Sequence, residues 1–251
     1  KVGWPYARYP TYGWLFRQDQ NVHPKYHQLL EDGYCIFQLS DGELEQLQLL
    51  VEIAEKHPKQ YLQVQNKQDE VGIFDNTKSA ARNKSRRYSK KWKAGDYGND
   101  QLDNHPMTKL IKAFVRDNVL IKIINFKVTD FRITFPQIIG YEGFETGPNP
   151  VENGSRDNLD QLPHRDCKQD RALYNFSCII NLMQEDAILR IAKGSHIYSG
   201  QQQLELNLKD HLQDVHIKKG EVTIFYRQLL HSGTAYKANH QRFFTFLEIF
   251  P

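Results

Sequence analysis

Cysteine is scarce and unpatterned. The chain holds three, Cys35, Cys167 and Cys178, which make neither a CxxC pair nor the evenly spaced framework of a disulfide-stapled secreted domain. Their arrangement points to reducing, intracellular surroundings. Long apolar runs are also missing. None approaches the ~20 residues of a bilayer crossing, so no membrane span is expected. An excess of charge of one sign is lacking too: 33 basic residues face 30 acidic ones, a formal net charge of +3, which is too even to indicate a nucleic-acid partner by itself. There is no repeat, and the Gln-rich QQQLEL is too short to be low complexity. The opening KVGWPYARYP has no signal-peptide character. A start at Lys1 suggests that upstream sequence is missing, so the expected cytoplasmic location leaves an organellar or nuclear one open.

What is present suits one substantial core. Residues 1–32 are aromatic and proline-containing and read as an extended arm. YCIFQL (34–39) reads as a strand. Ser40 and Glu43 form a capping-box signature, and Leu44, Leu47, Val51 and Ala54 recur at helical spacing as far as His57-Pro58. Residues 76–98 are basic, with Tyr88 and Trp92 between lysines and arginines. A second helix is predicted from Pro106, its apolar face carrying Met107, Leu110, Ile111 and Phe114. After about residue 122 the chain becomes a series of strand-like runs: KVTDFRITFPQIIGYEGF, RALYNFSCIINL, AILRIAKGSH, EVTIFYRQL and RFFTFLEIF. Short strands without regular helices between them predict an antiparallel sandwich or barrel preceded by helices.

The candidate chemistry begins at LPHRDC (162–167). In an extended segment, residues i and i+2 share a face, so His164 and Asp166 project together and Arg165 turns away. An HxD pair alone is usually accidental. A third ligand from a distant strand is needed, and His231 is the best choice: it follows the apolar EVTIFYRQLL and leads into SGT. Two histidines and a carboxylate on one face of an ion leave open positions, the arrangement of oxygen-activating non-haem Fe(II). An open zinc site stays an alternative. Taken singly, His231 is equally a core or turn histidine.

Arg242 raises the odds. It lies eleven positions beyond His231 at the start of RFFTFLEIF, and an antiparallel return is expected to bring it beside the strand of His231. Its rigid fork suits the far carboxylate of a dicarboxylic co-substrate chelating the metal at its other end. A surface salt bridge is the plain alternative.

His164-Arg165-Asp166, then His231, then Arg242 resembles the Fe(II)/2-oxoglutarate-dependent dioxygenases, and more closely their phytanoyl-CoA dioxygenase-like branch. AILRIAKGSH, EVTIFYRQLLHSGTAY and RFFTFLEI agree with it. The branch's Pro-Gly-Ser-His turn lacks its proline here, reading Ala192-Lys193-Gly194-Ser195-His196. The resemblance is sharp over 162–250 and looser over 33–161. It implies a mainly β fold with flanking helices around a double-stranded β-helix, a jelly-roll or cupin-like core. It also implies Fe(II), O2 and 2-oxoglutarate as co-substrate, with hydroxylation coupled to release of succinate and CO2. His164, Asp166 and His231 would ligate iron, and Arg242 would grip the distal carboxylate. The expected layout is a single dioxygenase domain over 1–251, with an arm (1–32), a helix-rich support (33–121, including the basic 76–98) and the β-helix core (122–251).

Less is legible about the substrate. Tyr174 and Asn175 are candidates for touching co-substrate or substrate. Arg132 and Thr134 share one strand face, and Asn175 and Ser177 another. The Gly- and Pro-rich stretch 141–161 reads as a lid or rim. The basic segment 78–93 suits nucleic-acid phosphates with stacked bases, a CoA phosphate, or solvent alone. A small molecule or acyl conjugate is favoured, with a nucleic-acid base or protein side chain still open. A catalytically inactive module that binds or assembles with a partner is the remaining alternative.

Overall fold

The computed structural model describes residues 24–57, 62–65, 87–92, 106–123, 131–141, 161, 163–166, 175–197 and 211–249, with the backbone alone for 62–65, 87–92 and 134–135. Helices α1 (Pro24–Asp32), α2 (Asp41–Lys56) and α3 (Pro106–Asn118) accompany ten strands. These are β1 (Tyr34–Gln38), β2 (Leu62–Gln65), β3 (Arg87–Trp92), β4 (Phe131–Tyr141), β5 (Asn175–Asn181), β6 (Ala187–Ile191), β7 (Gln213–Ile217), β8 (Glu221–Tyr226), β9 (His231–Gly233) and β10 (His240–Ile249).

The strands form two antiparallel sheets. The larger runs β1-β8-β5-β10-β4-β3-β2 and the smaller β7-β6-β9. Alternation along the large sheet makes two cores. Phe176, Cys178 and Ile180 of β5, Val222 and Ile224 of β8, and Phe243 and Leu247 of β10 face the helices. The intervening Ile179, Phe225, Phe244 and Phe246 pack with Ala187, Leu189, Ile191 and Ile217 of the small sheet. The interior between the sheets is therefore set by a period-two pattern that the sequence carries openly. The β4–β10 register shifts between Phe244 and Phe246, next to Pro136, whose missing N–H suits a bulge.

The two expected helices follow their sequence signals with one exception. Ser40 and Glu43 make the reciprocal capping box of α2, and Leu44, Leu47, Val51 and Ala54 are buried. On α3, Met107, Ile111, Phe114 and Val115 are buried, whereas Leu110 is 51 % exposed. The helix's contact stripe passes through Val115, one position round from the face expected.

Two parts of the expected layout need correction. Residues 24–32 are helical: Pro24 occupies the first turn and Tyr26 and Leu29, three apart, are buried. A local apolar repeat under an aromatic composition was read as an arm. Likewise, β2 and β3 from the region expected to be helix-rich support join the large sheet, as does the strand expected at 34–39. The basic segment supplies β3, paired to β4 with Arg87 opposite Tyr141, and its lysines at i and i+1 hid the strand period. Among the described residues no helix is long and apolar enough to cross a membrane.

Candidate metal centre

His164 and His231 are opposite residues of one hydrogen-bonded antiparallel pair. His164 N donates to His231 O at 2.8 Å and His231 N to His164 O at 2.9 Å. Directly paired residues project from the same face, so both imidazoles point inward, with ring centroids 4.5 Å apart. Asp166, two residues beyond His164, presents Oδ1 at 3.7 Å from Nε2 of each histidine. One ligand atom from each of the three lies within 4.8 Å of the others. The expected HxD geometry is present, with His231 on β9, a strand of three residues where the sequence suggested a turn.

Each side chain has a fixed orientation. His231 Nδ1 donates to Leu229 O at 2.9 Å, which leaves Nε2 as the lone-pair nitrogen facing Asp166. The Phe225 ring meets the imidazole edge-on at 4.7 Å. Ser177 of β5 donates its hydroxyl to Asp166 Oδ2 at 2.6 Å, so Oδ1 is the oxygen turned to the histidines. Burial pushes the Asp166 carboxyl upward. His231, His164, the Ser177 hydroxyl and the Arg227 charge together outweigh that and hold it below the usual carboxylate range.

Arg165 is more than a spacer. Its guanidinium turns away from the site and donates Nη1 to Ser195 O at 2.9 Å and to Gln228 O. Ser195 Oγ in turn accepts from Leu230 N at 2.8 Å, next to His231. The turn Lys193-Gly194-Ser195-His196 therefore braces both ligand-bearing segments. It is also fastened to α1: Gly194 N donates to Asp32 O, Lys193 pairs with Asp32 at 3.0 Å, and His196 Nε2 meets Leu30 O at 3.0 Å. His196 stacks on Tyr226, and burial pushes its pKa down to about 4. Gly33, at φ +85°, allows this approach, since a Cβ there would lie 2.5 Å from His196 Nδ1.

Arg242 is placed differently from expectation. It does not return beside His231: β10 lies in the large sheet between β5 and β4, with Arg242 opposite Asn181 and Ile139, while β9 pairs with β6. β9 belongs to the small sheet and β10 to the large one, so Arg242 and the histidines face one interior from opposite walls. Arg242 is 3 % exposed. Nη2 donates to Tyr141 Oη at 2.8 Å, whereas Nε and Nη1 are buried without a hydrogen-bond partner among the described residues, as are Tyr236 Oη and His240 Nδ1. Tyr236 touches the Tyr141 ring and stacks on His240 at 4.0 Å. Burial raises the Tyr236 hydroxyl to about 12 despite Arg242, and burial with Arg242 lowers His240 to about 4. The one formal charge in this cluster is the guanidinium, beside several unmet polar groups.

The remaining candidates divide. Asn175 begins β5 on the face of Ser177 and accepts Arg227 N through its carbonyl. Arg132 stands opposite Glu248. Tyr174, Cys167, the Thr134 side chain, stretch 142–160 and the side chains of the basic segment lie outside the described residues. Sequence reasoning passed over Ser177, Tyr141 and Tyr236. Alternation placed Ser177 on a face with Asn175, but nothing local says which face meets Asp166.

No protein-family model matches the sequence, and no curated protein does. Solved structures do match. SnoK, a non-heme alpha ketoglutarate dependent carbocyclase from nogalamycin biosynthesis, superimposes with a TM-score of 0.56 at 12% identity, over 94% of this chain and 86% of its own. EctD from S. alaskensis, crystallised with 2-oxoglutarate and 5-hydroxyectoine, gives 0.50 at 16% identity over 89% and 74%. AviO1 from Streptomyces viridochromogenes Tue57 gives 0.50 at 12% over 90% and 96%. At these identities the likeness is one of fold: the two-sheet jelly roll on which 2-oxoglutarate-dependent enzymes such as SnoK are built.

Proposed function

We propose that the chain is an Fe(II)- and 2-oxoglutarate-dependent dioxygenase that hydroxylates a small organic substrate. The observation that carries this is the pairing of two half-sites across one interior. One wall offers two imidazole nitrogens and a carboxylate oxygen within 4.8 Å, and the other offers a buried guanidinium whose Nε and Nη1 have no partner among the described residues.

The residues present fit both groups. His164, Asp166 and His231 form a nitrogen- and oxygen-donor set without thiolate, suited to a non-haem Fe(II) that keeps open positions. Arg242 offers unmet donors for the distal carboxylate of 2-oxoglutarate, and burial of an unpaired guanidinium is costly unless an anion answers it. Bound there, iron and 2-oxoglutarate would supply the oxidising chemistry, with O2 consumed and succinate and CO2 released. The protein's own work is positional. Ser177 fixes which carboxylate oxygen is offered, Leu229 O fixes the His231 tautomer, and Tyr141 orients Arg242. Phe225, Phe244 and Phe246 keep the space between the walls apolar and water-poor.

The phytanoyl-CoA dioxygenase-like branch is supported by the sequence motifs alone. An inactive binding module fits less well, because it has no use for a buried carboxylate held by a serine or for an unanswered guanidinium. The test is Fe(II)- and 2-oxoglutarate-dependent succinate release by the purified protein. Turnover is expected without added substrate, slowly, and is lost in H164A, D166A and H231A. Unchanged release in H164A and H231A overturns the reading.

A further inference from the structure

We infer that Arg227 anchors the primary substrate and that this substrate carries a carboxylate. The inference rests on the oxygenase reading above and assigns a substrate class that reading leaves open.

Arg227 follows β8 and precedes His231 by four residues. Its guanidinium lies over the Phe246 ring, with Cζ 4.2 Å from the centroid. Phe246 belongs to the interior core and stands opposite Ser177 in the β10–β5 register. Ser177 holds Asp166. Arg227 is thereby placed on the inner face beside the metal-binding carboxylate. Arg242 lies four residues from Phe246 along β10, so the two arginines occupy different stretches of the interior and cannot serve one anion.

The arginine's hydrogen-bonding capacity is not used up. Nη1 faces Glu248 Oε1 at 3.6 Å, beyond an ordinary hydrogen bond. Nε is buried with no hydrogen-bond partner among the described residues. An ion pair formed only to neutralise charge would close this gap. A guanidinium lying over an aromatic ring, with Nε unanswered among the described residues, is prepared for an incoming acceptor. The Arg227 and Glu248 side chains are 18% and 24% exposed, so a ligand can reach the outer part of the guanidinium. The neighbouring Glu248 carboxylate disfavours a dianion more than a monoanion, which selects a carboxylate over a phosphate monoester.

The test screens succinate release by the Fe(II)-loaded protein against small carboxylic acids and amino acids. Each is paired with its primary amide, and phosphate monoesters form a separate arm. At least one acid is expected to stimulate turnover where its amide does not. Arg227→Met should raise KM for that acid about 10- to 100-fold, the value of a charge-assisted contact, with a much smaller change in kcat; Arg227→Lys should recover part of it. Acids that perform no better than amides, including no stimulation at all, overturn the inference without needing any variant. So does a phosphate monoester that outperforms the acids, or an unchanged KM in a folded Arg227→Met protein. The oxygenase reading fails separately, if Fe(II) and 2-oxoglutarate produce no visible charge-transfer band on the protein. A band without acid preference removes the substrate assignment alone.

Discussion

Ser177 Oγ lies 2.6 Å from Asp166 Oδ2, joining the large sheet to the segment that bears two of the three candidate metal ligands. The hydroxyl donates, the carboxylate accepts, and the other oxygen is left for the metal. In S177A that oxygen is free to rotate away. Fe(II) affinity is expected to fall about 10- to 100-fold, with the fold unchanged by circular dichroism. Metal titration followed by tryptophan fluorescence checks this, and affinity equal to wild type would show the serine to be a bystander.

Arg242 should matter for the co-substrate rather than for the metal. R242M is expected to weaken 2-oxoglutarate binding on the order of 100-fold, since a charge-assisted bidentate contact is lost. Fe(II) affinity should stay near wild type. Calorimetry with each ligand separates the two.

Acid should destabilise the fold through its buried neutral histidines. His196 and His240 titrate near 4 in the folded chain against 6.5 for the free side chain. Their folded pKa values are depressed, so between 6.5 and 4 the unfolded chain binds more protons. Stability is full above 6.5 and falls as pH drops toward 4. Each contributes a loss of about 2 kcal/mol between pH 7 and pH 5. Urea unfolding at the two pH values measures it, and H196Q should show a shallower pH dependence than wild type.

Gly33 is expected to resist substitution. G33A places a side chain at φ +85° and a Cβ 2.5 Å from His196 Nδ1 and 2.6 Å from Leu229 Cδ1. The backbone conformation alone costs about 1–2 kcal/mol, and the clash adds to it. The midpoint of urea unfolding should fall well below that of a control, G42A, where a Cβ meets nothing within 4 Å.

These effects mark what was readable from the sequence. The His164–Asp166 pair was legible because a two-residue period acts locally, and the inner and outer faces of β5, β8 and β10 were legible for the same reason. The sheet to which β10 belongs was not. That depends on pairing with β5 and β4, whose partner residues lie about 60 to 120 positions away, and nothing near Arg242 records it. Ser177, Tyr141 and Tyr236 were missed on the same ground: each matters through a partner on another strand. Helix α1 was missed because its proline and aromatics resemble an arm until Tyr26 and Leu29 are seen to be buried.

The Arg165 brace ties the chemistry to the order of assembly. Its acceptors, Ser195 O and Gln228 O, lie 30 and 63 residues further along the chain, and the same turn is buttoned to α1 through Asp32 and Leu30. Closing such long loops is among the late events of folding. The candidate ion pocket therefore depends on contacts of long sequence separation and is expected to be complete only once both loops have closed. A lesion in α1, far from His164, Asp166 and His231, is expected to weaken metal retention.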